Sequence, residues 1–257
     1  MKTFLIVFVL IMVLSAAQCS KQRAETPAPM MNFSMQKVYL DHQIERADGH
    51  RAVVEFNYPL FSGDAAAVAV LNRLIREVLL STTFGDSVDL DVKEAAQRFI
   101  DDYISTLEDE PELNESWELR VDVAVAFQSD DVVSLRIDEY VFTGGAHGDY
   151  STVFYNIEPN SGRVLHLTDF IRPGSEERLE QIAERKFRQT FRIADGQSYE
   201  DAGFWFENNV FYLTDNMVVQ PDGFLFLYNR YEIAPHAAGA VELSLSYDEL
   251  AEVLARH

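Results

Sequence analysis

Between positions 117 and 127 the chain sets Trp117, Leu119, Val121, Val123, Val125 and Phe127 against polar or small residues in strict alternation. Side chains alternate faces along a strand, so this period of two demands a strand with one face buried and one face wet. The stretch ahead of it has a different period. Val68, Leu71, Leu74-Ile75 and Val78-Leu79 recur every three or four residues, as do Val92, Ala96, Phe99-Ile100, Tyr103-Ile104 and Leu107. These stripes predict two amphipathic helices, the first opening at Ser62-Gly63-Asp64 and the second ending in Glu108-Asp109-Glu110-Pro111. Apolar stripes and an apolar sheet face bury each other, which predicts an α+β fold with helices on one face of antiparallel sheets.

The other segments extend that plan. Extended runs at 37–46 and 50–58 flank Ala47-Asp48-Gly49, a hairpin signal. Ser129-Asp130-Asp131 turns the alternating strand into a second one at 132–142, so the first half reads ββααββ. Beyond it lie strand-like runs at 151–158 and 164–167, around the turn Pro159-Asn160-Ser161-Gly162. A helix over 175–191 follows, carrying Leu179, Ile182-Ala183 and Phe187 inward. Short strands are expected at 210–213, 217–220, 223–228 and 240–245, with Pro221-Asp222-Gly223 as a turn. Ser246-Tyr247-Asp248-Glu249 is a capping box opening a terminal helix. The second half is thus ββαβββα-like, and two subdomains are expected, 37–143 and 144–257.

The N-terminus reads as an export signal over 1–18. Lys2 supplies the charge, 4–14 the apolar core, and Ser15-Ala16-Ala17 the small residues before a cleavage point. The apolar run is shorter than the ~18–20 residues that span a bilayer. Cys19 is the one cysteine of 257 residues and stands where a bacterial lipoprotein carries its lipid. Ala16 and Gln18 depart from the usual lipobox, so ordinary cleavage after Ala17, giving a secreted or periplasmic soluble protein, stays open beside lipidation at Cys19. The polar, proline-containing stretch 19–36 fits a flexible tether. These readings predict an extracytoplasmic protein anchored to a membrane by lipid.

With a single cysteine no disulfide can form within the chain, so stability has to come from packing. The formal charge is −21, and losing Lys2 with the signal makes it −22. A field of that sign repels nucleic acid, anionic lipid heads and anionic wall polymers and attracts basic proteins, peptides and metal ions; the plainer reading is that an acidic surface keeps the protein soluble.

Two segments stand apart. One is Tyr140-Val141-Phe142-Thr143-Gly144-Gly145-Ala146-His147-Gly148, with Phe154-Tyr155-Asn156 and Leu165-His166-Leu167-Thr168-Asp169-Phe170 after it. The other is Tyr228-Asn229-Arg230-Tyr231-Glu232-Ile233-Ala234-Pro235-His236-Ala237-Ala238-Gly239, ending in Tyr247-Asp248-Glu249-Leu250. Together they resemble the extracytoplasmic domain family shared by the lysozyme-sensing anti-sigma-V factor and the accessory domain of a peptidoglycan deacetylase. The resemblance runs from about Met35 onward. It implies a stand-alone cell-envelope domain that binds something, either a basic protein such as a lysozyme or a wall-derived peptidoglycan fragment. Neither named activity carries over. An anti-sigma factor needs a cytoplasmic domain ahead of a membrane helix, and roughly 220 residues leave no room for a deacetylase catalytic domain.

The candidate ligand-binding residues are Tyr140, Gly144, Gly145, His147, Tyr231 and His236. Paired glycines free backbone amides or admit close approach, and the two histidines could meet across the segments. The competing reading of the loop is a plain strand connection. Catalysis by His147 with Asp149 and Ser151 would need the imidazole to bridge the other two. A wall-modifying hydrolase built on that loop is the alternative function, and a structural or assembly role the third. Six scattered histidines without a His-x-x-x-His spacing predict no zinc site, and no cofactor is expected. Acidic Asp86, Asp89, Asp91 and Asp101-Asp102 read as helix-start and solvated charge. Phe204, Trp205, Phe206, Phe211 and Tyr212 read as core, with a carbohydrate or peptide groove as the other possibility.

Overall fold

The computed structural model describes residues 31–43, 50–84, 90–110 and 115–255. The export signal, Cys19, the tether up to residue 30 and the Asp48-Gly49 turn lie outside them. Strand β1 (Met31–Gln43) starts six residues ahead of the expected Lys37, which shortens the stretch available to a tether. It pairs antiparallel with β2 (Arg51–Gly63), from Gln43 opposite Arg51 to Met31 opposite Gly63. Helices α1 (Ala67–Phe84) and α2 (Val92–Asp109) follow. Asn72 closes the strand-to-helix connection by accepting from the Phe61 amide at 2.8 Å and donating to its carbonyl at 3.0 Å. Asp91 and Glu94 form a capping box that starts α2.

Next come β3 (Trp117–Gln128), β4 (Val133–Phe142), β5 (Asp149–Ile157) and the short β6 (Val164–Leu165). All six strands form one sheet in chain order. Two expectations are corrected here. The β2–β3 pair is parallel, because the two-helix crossover returns the chain in the same direction, so the sheet is mixed. The division at 143/144 does not hold either, since β5 hydrogen-bonds to β4 from Ile157 opposite Val133 to Asp149 opposite Val141.

Helices α3 (Leu167–Phe170) and α4 (Glu176–Thr190) lead to β7 (Met217–Gln220), β8 (Gly223–Tyr228) and β9 (Val241–Ser246), a separate antiparallel sheet. Residues 210–213 alternate as expected, with Phe211 in the core and Val210 and Tyr212 facing out, but they are irregular rather than a strand because they pair with neither sheet. The Ser246–Glu249 capping box is present, but the helix it opens, α5 (Tyr247–Leu250), lasts one turn.

The layers follow from the apolar faces. Leu71, Ile75 and Leu79 of α1 and Phe99, Ile100 and Tyr103 of α2 meet Val54, Phe56, Leu119, Val121, Leu135 and Ile137 of the first sheet. Leu179, Ile182, Ala183 and Phe187 of α4 meet Phe224, Phe226, Tyr228, Leu243 and Leu245 of the second. The two sheets join where Phe154 packs on Val218, Leu225 and Leu227. With both faces covered, β8 is buried at every residue, which explains its unbroken run Phe224-Leu225-Phe226-Leu227-Tyr228.

The joint is also polar. Buried Asn156 donates to the Met217 carbonyl at 3.0 Å and accepts from the Val219 amide at 3.2 Å and the Ser134 hydroxyl at 2.7 Å. Asn216 accepts from the Phe154 amide at 2.9 Å and donates to the Thr152 carbonyl at 2.8 Å.

Candidate functional site

The two distinctive segments become two loops at the same end of the molecule, 143–148 between β4 and β5 and 229–240 between β8 and β9. Each is built for its shape. Gly144 and Gly145 have φ of 112° and 100°, a region that side chains disfavour. A methyl group at Gly144 would overlap the Glu115 carboxylate, which accepts the Gly145 amide at 2.8 Å. Buried Gly148 lets the Tyr140 ring lie where a side chain would otherwise stand.

The second loop is tied to β5 by Asn229. Its side chain accepts from the Thr152 amide at 2.7 Å and donates to the Thr152 carbonyl at 3.1 Å, as a neighbouring strand would. The Glu232 carboxylate then accepts from the Asn229 amide at 2.7 Å and from the Tyr212 hydroxyl at 3.1 Å. Burial, and then that carboxylate, push the Tyr212 hydroxyl up to about 12, so it stays a donor at neutral pH. This frame holds Tyr231 at φ 64°, an unusual backbone for a bulky residue, with the residue 51% exposed. Local strain of this kind costs on the order of 1–3 kcal/mol and persists only where its surroundings impose it.

The loops converge on a row of flat groups. His147 stacks on His236 with ring centroids 4.3 Å apart and planes 18° apart. Tyr231 closes on both, at 6.3 Å from His147 and 5.3 Å from His236. The Nδ1 of His147 faces the Gly148 carbonyl at 3.2 Å and its Nε2 the Tyr231 hydroxyl at 3.5 Å. Arg230 approaches the Nε2 of His236 at 3.4 Å, and a guanidinium can only donate, so that nitrogen accepts. The same guanidinium lies 4.2 Å over the Tyr150 ring, and Tyr150 packs on Tyr140 at 4.4 Å. Beyond Tyr140 a groove of about 310 Å³ opens between Glu118, Arg120, Asp122 and Asp138. Of the six sequence-selected residues, Tyr140, His147, Tyr231 and His236 therefore lie along one row, while Gly144 and Gly145 shape the loop that carries His147, and Gly145 bonds to Glu115.

Asp149 does not join them. Its carboxylate accepts the Tyr150 amide at 3.0 Å, and the ring partners of His147 among the described residues are Gly148, Tyr231 and His236 rather than Asp149 or Ser151. The described residues contain no group of three or more His, Cys, Asp or Glu side chains placed to hold a metal ion.

Sequence reasoning missed Arg230, Tyr150, Glu115 and Glu232. Arg230 and Glu232 lay inside a segment already singled out, and alternation along β5 puts Tyr150 on the same face as Thr152 and Phe154. Of the aromatic cluster at 199–212, Tyr199, Phe206 and Phe211 are core, while Trp205 is half exposed at 49%. Its amide donates to the Ile233 carbonyl at 2.7 Å, which sets it beside the second loop.

Residues 48–150 match the family model described as Deacetylase PdaC, and residues 168–248 match that of a Protein of unknown function (DUF3298). No curated protein matches. A solved member of the DUF3298 family from Bacteroides fragilis is 23% identical with a TM-score of 0.74, covering 90% of this chain and 96% of that one. A DUF3298 family protein from Pseudomonas aeruginosa PAO1 is 22% identical with a TM-score of 0.62, covering 87% and 95%. The resemblance expected from the two segments is thus borne out. The Gly-Gly-Ala-His loop falls in the first matched region and Tyr231 to His236 in the second.

Proposed function

We propose that this chain, which carries both matched domains in succession, is a non-catalytic binding module of the bacterial cell envelope, exported and held at a membrane by a lipid on Cys19. Its ligand surface is the ledge formed by His147, His236, Tyr231, Arg230, Tyr150 and Tyr140, and its ligand is a wall-derived glycan. The observation that carries the reading is Tyr231, strained at φ 64° and half exposed while its loop is clamped from two sides. Strained backbone concentrates at ligand clamps and active sites, so a strained residue that presents its side chain to solvent supports a recognition role. Flat exposed rings suit the apolar faces of sugars, and Arg230 and the flanking carboxylates suit their hydroxyls.

The one hydroxyl facing the His147 imidazole in the ledge is the Tyr231 phenol at 3.5 Å, beyond the ~2.6–3.2 Å reach of a nucleophile–base pair, and the base is oriented by the Gly148 carbonyl rather than by Asp149, which favours binding over hydrolysis. A second reading, capture of a basic protein of the lysozyme type, is favoured by the formal charge of −21 and by the acidic groove beside Tyr140.

Co-sedimentation with purified peptidoglycan tests both. Salt-tolerant binding that Tyr231→Ala and His236→Ala abolish, with the fold intact by circular dichroism, supports the glycan. Salt-sensitive capture of a cationic lysozyme without wall binding replaces it with the second reading, and the absence of both sinks the ledge as a site.

A further inference from the structure

At the far end of β4 and β5 from the ledge, a cavity of about 460 Å³ opens between the two sheets. That volume lies in the range of small-molecule sites, roughly 300–1,000 Å³. Its floor is apolar, with Val132, Leu165, Val219 and Phe224 from the core and Phe127 and Leu254 partly buried around them. Its rim is charged. Glu158, Asp169 and Asp131 face a single guanidinium, that of Arg163.

Internal partners satisfy most of that rim. Asp169 accepts from Arg163 at 2.5 Å and from the His166 amide at 2.8 Å, and Arg163 and those bonds hold its carboxyl below the usual range. The Ser161 hydroxyl binds Glu158. Asp131 differs: its amide donates to the Ser129 hydroxyl at 3.2 Å, but its carboxylate has no partner among the described residues. An apolar floor under an acidic rim with one unengaged, solvent-facing carboxylate matches a ligand with an apolar body and a positive head.

We propose that this cavity binds an amphipathic organic cation, with its apolar body against Phe224 and Leu254 and its ammonium at Asp131. The site is separate from the ledge and stands whether or not the ledge binds a glycan.

Isothermal titration with octylammonium and octanoate, matched in body and opposite in head, tests it on the folded chain. Octylammonium is expected to bind and octanoate to bind at least tenfold more weakly. Asp131→Asn should weaken octylammonium about two- to fivefold, the scale of one solvent-facing charge pair. Leu254→Trp, which fills the cavity from its partly buried wall, should abolish binding, and Tyr231→Ala should leave it unchanged. Thermal melts confirm that each variant folds; if Leu254→Trp does not, Val132→Phe fills the cavity from the opposite wall. Equal binding of the two probes, no binding of either, or loss on Tyr231→Ala overturns the proposal.

Discussion

The imidazole of His147 lies on that of His236, 4.3 Å away and within 18° of parallel, although the two sit on loops of different sheets. The contact ties the β4–β5 connection to the β8–β9 connection. Aromatic pairs add about 0.5–1.5 kcal/mol beyond area burial, and an exposed pair belongs at the low end. A double-mutant cycle of His147→Ala and His236→Ala, read by urea unfolding, should therefore give a coupling of about 0.5 kcal/mol. Additivity of the two changes would show that the loops meet without supporting each other.

Gly148 is predicted to be the least replaceable residue of the first loop. A β-carbon there overlaps the Tyr140 ring, and Tyr140 is pinned in turn by Tyr150 at 4.4 Å. Overpacking of this kind costs about 1–3 kcal/mol. Gly148→Ala should lose that much by chemical denaturation, while Gly145→Ala, with open space around it, should lose less and through its φ of 100° alone. Equal losses would shift the explanation from packing to backbone.

Glu139 gives a pH-dependent prediction. Burial, and then the neighbouring Asp149, raise its carboxyl above the usual 4.5. The unfolded chain releases that proton at lower pH than the folded one, so stability falls as pH rises from 4.5 through the folded value. At pH 7 this half-buried charge opposes folding. Glu139→Gln should raise Tm at pH 7, by about 2–4 °C for each kcal/mol relieved, and the gain should vanish below pH 4.5. A gain independent of pH would mean that the carboxylate is not its source.

Most of the fold was legible because its elements carry one-sided apolar patterns. The stripes at Leu71, Ile75 and Leu79 and at Phe99, Ile100 and Tyr103 marked α1 and α2, and alternation from Trp117 marked β3. The allocation of β5 was not legible. Its sequence is equally compatible with either sheet, and the choice is made by backbone pairing with β4 and by Phe154 reaching across to Leu225 and Leu227. The ledge was half legible. Histidines, tyrosines and paired glycines announce themselves by chemistry, whereas Arg230 matters because it lies over Tyr150 from another strand, a juxtaposition that no local pattern encodes. Likewise the φ of 64° falls on Tyr231, a residue type that gives no warning of it.

The edge of β5 supplies the last prediction. Three asparagines, Asn156 on the strand itself and Asn216 and Asn229 across from it, bond β5 to the second sheet and its flanking residues, and their burial ranks them. Asn156 is buried, and replacing it by Ala strands the Ser134 hydroxyl, the Val219 amide and the Met217 carbonyl. Each buried group left unpaired costs about 1–3 kcal/mol, so Asn156→Ala should destabilise the whole fold. Asn229 is only partly buried, and water can take over the Thr152 groups it serves. Asn229→Ala should therefore cost about 1 kcal/mol or less globally, yet it releases the loop that carries Arg230, Tyr231 and His236. Hydrogen exchange separates these effects. In Asn229→Ala the Thr152 amide should lose protection while the Phe154 amide, held by Asn216 at 2.9 Å, keeps it. If ligand binding at the ledge weakens in step with Thr152 exchange, the clamp is what poises Tyr231; unchanged binding would assign that role to Glu232 alone.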